Sequence, residues 1–340
     1  MKPSLSVIIG VYNGEAFLRE SLDSVLNQSV PVDEIVVVDD GSTDQTPEIL
    51  SSYGGALRVI PFETNQGLGA ARERASLEAT GDLLAFQDAD DIWLPHKNDV
   101  TMEAFSTIPD LDFFFADMLN FDNETGRDVE TSFLAMKDFP GDRAFSTISP
   151  RINLLDTDQL LADIMLNCYV NIQTAVFRRE ALLACGGFDK TFRRAQDADA
   201  FYKYAATQPK TAFSREVLVR RRIHGGNLIH DTFTGDFFQA KGMARHWDYI
   251  KRQPEPLKND LIHQWRTVQR QAATGALRKG NTKQARELLR ESIRRQGTLF
   301  DRSLLLSTYF PRSLRQFAGK MAQAVTGKHL TKHRVVDRRA

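Results

Sequence analysis

Apolar and polar positions alternate between two periods over the first hundred residues. Ser6–Val11 and Glu34–Val38 are short apolar runs rich in β-branched residues and bounded by turn residues, the pattern of strands buried on both faces. Between them Phe17, Leu18, Ser21, Leu22, Val25 and Leu26 recur at helical spacing and predict an amphipathic helix over 15–28. Strand, helix and strand with short connections make a βαβ unit. The pattern then repeats: a helix over 44–53 capped by Ser42, Thr43 or Asp44, a strand at 57–61, a helix over 69–79 and a strand at 83–87. The expected fold is an α/β doubly wound, mostly parallel sheet with its ligand site at the carboxyl ends of the strands.

From about residue 110 the alternation loosens. A strand is expected at 113–116, a loop-rich stretch over 120–150, helices near 157–167, 179–184 and 196–207, and strands at 170–177 and 217–223. Beyond 235 the texture becomes helical and rich in Lys and Arg. This predicts a body over 1–234, divided into halves at 1–110 and 111–234, and a helical extension over 235–340.

Charge sharpens that division. The 340 residues carry no net charge, yet residues 1–234 hold 21 Lys+Arg against 36 Asp+Glu (−15) and residues 235–340 hold 23 against 8 (+15). The basic part is suited to nucleic acid, to anionic lipid or to the acidic body itself. A composition of 42% apolar and 26% charged residues excludes a disordered chain and a small disulfide-stapled scaffold. Cys168 and Cys185 have no companions at zinc-ligand spacing, so a reducing, cytoplasmic setting is expected. The N-terminal MKPSLSVIIG is too short for a signal peptide, and no 18-residue apolar stretch occurs.

Two acidic clusters sit at strand ends. Asp39-Asp40-Gly41-Ser42-Thr43-Asp44 follows the second strand; carboxylates there suit ribose hydroxyls, base N–H groups or a metal, and an acidic helix cap would look the same. Asp88-Ala89-Asp90-Asp91 follows the strand at 83–87, where paired carboxylates can hold one cation and leave positions for a diphosphate. Asn65-Gln66-Gly67-Leu68-Gly69-Ala70-Ala71-Arg72 contains Gly-x-Gly, but a dinucleotide fingerprint belongs after the first strand, which ends instead in Val11-Tyr12-Asn13-Gly14. NAD binding is not expected, and Arg72 reads as a cation facing the site.

Taken in order and spacing, SVIIGVYN, DDGSTD, NQGLGAAR and Asp88-Ala89-Asp90 resemble the family 2 glycosyltransferases of GT-A fold, strongly over 1–100 and through later motifs to about 230. Gly10 departs from the family's usual proline. The resemblance implies that Tyr12 packs on the nucleobase, that Asp40 with Asp39 hydrogen-bonds the base, that Arg72 lies near base and phosphates, that Asp88 faces ribose or donor sugar, and that Asp90 ligates Mn²⁺ or Mg²⁺. Gly186-Gly187-Phe188-Asp189 followed by Gln196-Asp197-Ala198-Asp199 resembles the family's acceptor-side motif, with Asp197 as general base, Asp199 as its nearest rival and Gln196 in place of the usual Glu. Arg222-Ile223-His224-Gly225-Gly226-Asn227 resembles the motif closing the catalytic domain, with His224 supplementing the metal. No Gln-x-x-Arg-Trp of the processive polymerases is present.

The resemblance therefore implies an inverting, metal-dependent, non-processive enzyme of the hexosyl- or N-acetylhexosaminyl-transferase class. It would move a sugar from a nucleotide-sugar donor, UDP-linked, to a glycan or lipid-linked acceptor, with no nucleic-acid partner. The alternatives are a non-catalytic sugar-nucleotide-binding protein and a sugar nucleotidyltransferase; the latter needs a Gly-rich, basic triphosphate loop, which Tyr12-Asn13-Gly14-Glu15 is not. In the extension, residues around Gly280-Asn281 read as a helical hairpin. Residues 299–318 read as a basic amphipathic segment that lies on the inner face of the cell membrane or covers the catalytic domain.

Overall fold

The computed structural model describes residues 2–137, 139, 144–225, 232–296 and 298–309. Two compact units divide the chain, residues 1–264 and 265–340.

The first unit is built on a ten-stranded sheet among the described residues, ordered β3-β2-β1-β4-β9-β6-β10-β8-β7, with β5 on β10. Its N-terminal part alternates as expected: β1 (Leu5–Val11), α1 (Leu18–Leu26), β2 (Glu34–Asp39), α2 (Thr46–Ser51), β3 (Arg58–Pro61), α3 (Leu68–Glu78) and β4 (Leu83–Asp88). β1 pairs in parallel with β2 on one side and β4 on the other. The chain thus leaves β1 outward to β3 and returns across it to β4, placing the topological switch at the carboxyl ends of β1 and β4.

Every residue of β1 is buried, as its uninterrupted apolar run requires. Val7, Ile9 and Val11 share one core with Leu18, Leu22 and Val25 of α1, each full burial contributing about 1.5–3 kcal/mol. The opposite face receives α3. A Cβ on Gly10 would stand 2.7 Å from Leu68 Cδ1 and 3.1 Å from Ala71 Cβ, so the departure from proline at this strand end matches a close helix–sheet approach.

The later part adds β5 (Ile92–Trp93), α4 (Lys97–Thr107), β6 (Phe113–Asp122), α5 (Phe133–Met136), β7 (Phe145–Thr147), β8 (Asn153–Leu155), α6 (Leu160–Asn167), β9 (Val176–Arg178), α7 (Arg179–Ala184), α8 (Gln196–Ala205) and β10 (Thr211–Ile223). Three differences from the sequence pattern appear. The strand expected over 170–177 is a 3₁₀ turn at Ile172–Thr174 followed by a short β9, because Thr174 bonds back to the Asn171 carbonyl and Gln173 turns inward. The strand expected over 217–223 begins at Thr211 and carries register shifts near Ser214 and Val217, which interrupted its apolar pattern. The 120–150 stretch contributes α5 and the edge strand β7.

Helices alone follow: α9 (Thr232–Arg245), α10 (Trp247–Arg252), α11 (Leu257–Arg278), α12 (Thr282–Gln296) and α13 (Leu299–Ser307). The change of texture near 235 does not coincide with the break between compact units at Gln264–Trp265, because Arg245 of α9 is ion-paired to Asp189 and Asp199 of the sheet-bearing part. In the second unit the part of α11 from Trp265 onward and α12 form the expected hairpin around Gly280, with Ala276, Ala285, Leu288 and Leu289 buried. Thr298 and Asp301 close a capping box on α13, and Arg270 donates to Asp301 at 2.7 Å. Of the segment 299–318, residues 310–318 lie outside the described residues, as do Gly226 and Asn227 of the histidine motif. Among the described residues no helix is long and apolar enough to cross a membrane.

Candidate active site

The switch point gathers the acidic clusters. Tyr12 leaves the end of β1 half-exposed, at 49%. Its successor Asn13 is fastened to the acidic turn: its N–H donates to Ser42 Oγ at 2.9 Å and its side-chain oxygen accepts from the Thr43 N–H at 2.8 Å. Asp39 accepts from the Ser42 N–H at 3.0 Å. Asp40 is buried and accepts from the N–H groups of Gln66 and Gly67 at 2.7 and 2.8 Å. One carboxylate thus fixes the turn that starts α3, and burial raises its pKa despite these bonds. The two glycines there serve different ends: Gly67 takes a positive φ of 96°, whereas a Cβ at Gly69 would stand 2.8 Å from the Phe192 carbonyl oxygen.

Arg72, one turn into α3, is buried and ion-paired to Asp88. Its Nη1 is buried with no hydrogen-bond partner among the described residues.

Beyond β4, one oxygen from each of Asp88, Asp90 and Asp91 lies within 4.8 Å of the others. The three differ in what already holds them. Gln173 Nε2 donates to both Asp88 and Asp91 at 2.8 Å, and the Arg222 N–H donates to the other oxygen of Asp91 at 2.9 Å. Asp91 is therefore committed to the protein. Asp90 instead meets the ring of His224, with Nε2 3.0 Å from its Oδ2. Burial and the neighbouring Asp88 charge push the Asp90 carboxyl up; burial and both neighbours push Asp91 well above the usual carboxylate range. Crowded carboxylates of this kind are relieved by a cation. Hard oxygens with one imidazole suit Mn²⁺ or Mg²⁺, so the residues fit such an ion, with Asp90 and His224 best placed to hold it.

Arg222 ties this loop together. Its Nε donates to the Asp90 carbonyl at 2.8 Å, its Nη1 to Asn123 at 2.9 Å, and its Nη2 pairs with Glu20. The guanidinium carbon lies 4.7 Å from the centroids of both Phe17 and Phe121, and Phe17 also packs against His224 at 4.6 Å.

Ahead of α8, Gly186 and Gly187 take positive φ (95° and 45°), a conformation that favours glycine, and deliver Phe188 into the core against Phe86 at 5.0 Å. Burial alone would raise the Asp189 carboxyl, but Thr191 and Arg245 hold it well below the usual range. α8 then begins with Gln196 and Asp197. Asp197 accepts from the adjacent Ala198 N–H at 2.9 Å and lies near the Cys168 thiol, which burial and then the Asp197 charge push up to about 11. Asp199 is buried and held by Arg245 and Lys203.

The sequence motifs contain Arg222 and Asp91 without pointing to a role for either, and they do not reach Gln173. Gln173 lies in a segment whose pattern reads as strand and carries no local signal.

The family model described as Glycosyl transferase family 2 matches residues 6–182. An uncharacterized glycosyltransferase of Nostoc sp. is 42% identical over 106 residues, 30% of this chain and 33% of that protein. One of Rickettsia prowazekii is 28% identical over 228 residues, 67% of this chain and 66% of that protein. The matches thus span a third to about two thirds of these relatives' lengths. Among solved structures, Staphylococcus aureus TarS in complex with UDP-GlcNAc aligns with a TM-score of 0.62 at 19% identity, covering 97% of this chain and 93% of that one. The mannosyltransferase PcManGT from Pyrobaculum calidifontis, in complex with GDP-Man and Mn²⁺, aligns with a TM-score of 0.55 at 20% identity, covering 98% and 89%. These likenesses show the GT-A fold.

Proposed function

Since this chain belongs to glycosyl transferase family 2, we propose that it is an inverting, metal-dependent glycosyltransferase that moves a single sugar from a UDP-linked donor to a hydroxyl of a glycan or lipid-linked acceptor. The observation that carries the reading is the meeting of Asp90 and His224 at 3.0 Å, 134 residues apart in sequence, near Arg72, which is ion-paired to Asp88. Arg72 and Asp88 form one wall of the donor site, and the exposed ring of Tyr12 offers a face for the nucleobase.

In the reaction, Asp197 takes the proton of the acceptor hydroxyl as its oxygen attacks the anomeric carbon from the face opposite the nucleotide. The new glycosidic bond forms while the bond to the diphosphate oxygen breaks, and the nucleoside diphosphate leaves with the electron pair. A divalent ion on Asp90 and His224 would supply positive charge for the diphosphate. The Asp91, Gln173 and Arg222 network holds the loop that carries Asp90 in place.

For the acceptor, α13 supports a peripheral contact with anionic membrane. Leu299, Leu306 and Tyr309 are exposed at helical spacing with Arg302 among them. The experiment that tests the function is a donor screen: purified protein with Mn²⁺ and a panel of nucleotide sugars, read by donor hydrolysis and thermal shift. Stabilisation and hydrolysis with one nucleotide class are expected. No response to any donor or nucleoside diphosphate would refute the reading.

A further inference from the structure

Gln173 stands among the acidic side chains although it belongs to none of the motifs. β9 pairs antiparallel with β4 in the register Leu83↔Arg178, Leu84↔Phe177 and Ala85↔Val176. Continued by three residues, that register sets Gln173 opposite Asp88. The 3₁₀ turn at Ile172–Thr174 replaces the strand there, and Gln173 is 6% exposed.

Its Nε2 donates to Asp88 Oδ2 and to Asp91 Oδ2, both at 2.8 Å. Asp88 Oδ1 pairs with Arg72, and Asp91 Oδ1 accepts from the Arg222 N–H at 2.9 Å. All the carboxylate oxygens of Asp88 and Asp91 therefore carry a donor from the protein. A glutamine amide has two N–H bonds on one nitrogen, and here each goes to a different carboxylate of the same cluster.

The main chain of this loop is held by other groups. Ser21 Oγ donates to the Asp88 carbonyl at 3.0 Å, Gln87 Nε2 to the Asp91 carbonyl at 2.6 Å, and Arg222 Nε to the Asp90 carbonyl at 2.8 Å. Removing the Gln173 amide leaves these bonds in place. What Gln173 adds acts on the carboxylates themselves.

A hydrogen-bond donor and a cation compete for the same carboxylate charge. Each carboxylate that closes on a divalent ion also takes a position, and neutralises charge, that a diphosphate would use. We propose that Gln173 is a positioning residue: by bridging Asp88 and Asp91 it keeps both carboxylates off the ion held by Asp90 and His224, and so leaves that ion open to the diphosphate. This rests on the metal and donor reading above. A partner that accepts a hydrogen bond from a metal ligand strengthens that ligand. Gln173 donates instead, so its removal should tighten the ion and loosen the nucleotide.

The test compares the wild type with Gln173→Met and Gln173→Glu. Mn²⁺ alone is titrated with the free ion followed by electron paramagnetic resonance, and UDP and GDP are titrated calorimetrically at saturating Mn²⁺. Methionine keeps the length of the side chain without its donors. Glutamate keeps the shape and sets a further anion beside the pair, so it also decides the matter if the methionine variant does not fold. Both variants should bind Mn²⁺ alone about tenfold more tightly, the equivalent of one hydrogen bond to a charged group. Both should bind the diphosphate that the wild type prefers about tenfold more weakly. Mn²⁺ should also raise the melting temperature of Gln173→Glu more than that of the wild type. A merely structural role would loosen Mn²⁺ and diphosphate together, with a lower melting temperature in the absence of metal. That outcome overturns the proposal, and so does Mn²⁺ binding that neither substitution changes. A wild type that binds neither Mn²⁺ nor either diphosphate overturns the metal and donor reading, and this inference with it.

Discussion

Arg245 Nη1 donates to both carboxylate oxygens of Asp199, at 2.8 and 2.9 Å, while Lys203 Nζ approaches the same group at 3.2 Å. Asp197, two residues earlier on α8, carries no such cation among the described residues. The two carboxylates of the Gln-Asp-Ala-Asp motif thereby play different parts. Asp199 binds α9 to α8, and Asp197, whose side chain accepts from the neighbouring Ala198 N–H, is the carboxylate proposed as the base.

The separation predicts opposite phenotypes. Asp197→Asn should leave stability and donor affinity nearly unchanged and lower transfer by about 10²–10⁴. Asp199→Asn should lower stability by about 2–3 kcal/mol, because it leaves Arg245 and Lys203 underpaired, with transfer falling only as folded protein is lost. Urea unfolding alongside transfer assays separates them. An active Asp197→Asn would show that the base lies elsewhere.

Metal dependence is expected to reside in Asp90. Asp90→Ala should weaken both donor binding and turnover, the latter by about 10²–10³, and EDTA should abolish activity that Mn²⁺ or Mg²⁺ restores. Full turnover in EDTA is the contrary result.

Lys97 offers a pH signature in the core. It is fully buried, its Nζ is 3.7 Å from the Trp93 ring centroid, and it has no hydrogen-bond partner among the described residues. Burial lowers its pKa from 10.5 to about 7. The unfolded chain holds this proton more tightly than the folded one, so the penalty on folding is full below about pH 7 and fades as pH rises towards 10.5. Lys97→Met should therefore stabilise the protein by about 2–4 kcal/mol at pH 6 and by little near pH 10, the attraction to Trp93 offsetting part of the burial cost. A gain that does not vary with pH would exclude the ammonium as its source.

Membrane contact through α13 should appear in liposome flotation. Binding to anionic vesicles is expected to fall steeply with salt, as for basic side chains each contributing about 1 kcal/mol, and to weaken in Leu299→Asp/Leu306→Asp. Equal recovery with neutral vesicles points away from this role.

The fold of the N-terminal part was legible because its information is local. The β1 run is buried on both faces and the α1 stripe has one apolar side, so period and composition mark both elements. The order of the acidic and Gly-rich motifs likewise put Tyr12, Asp39, Asp40, Asp88 and Asp90 at the carboxyl ends of β1, β2 and β4, with Arg72 on α3 between them in sequence. The part beyond residue 110 was less legible: Gln173 lies in a run of β-forming residues, and its side chain is held by partners at positions 88 and 91.

By itself the sequence determined which segments are strands and helices in the alternating region, and hence that two acidic strand ends share one crevice. Only the tertiary structure decided which partner each carboxylate takes. Asp91 is consumed by Gln173 and Arg222, 82 and 131 residues away, Asp199 by Arg245, and Asp90 meets the ring of His224, 134 residues away. The reason is physical: hydrophobic period depends on neighbours along the chain, whereas the protonation, pairing and reach of a carboxylate depend on what the fold brings within about 3 Å of it.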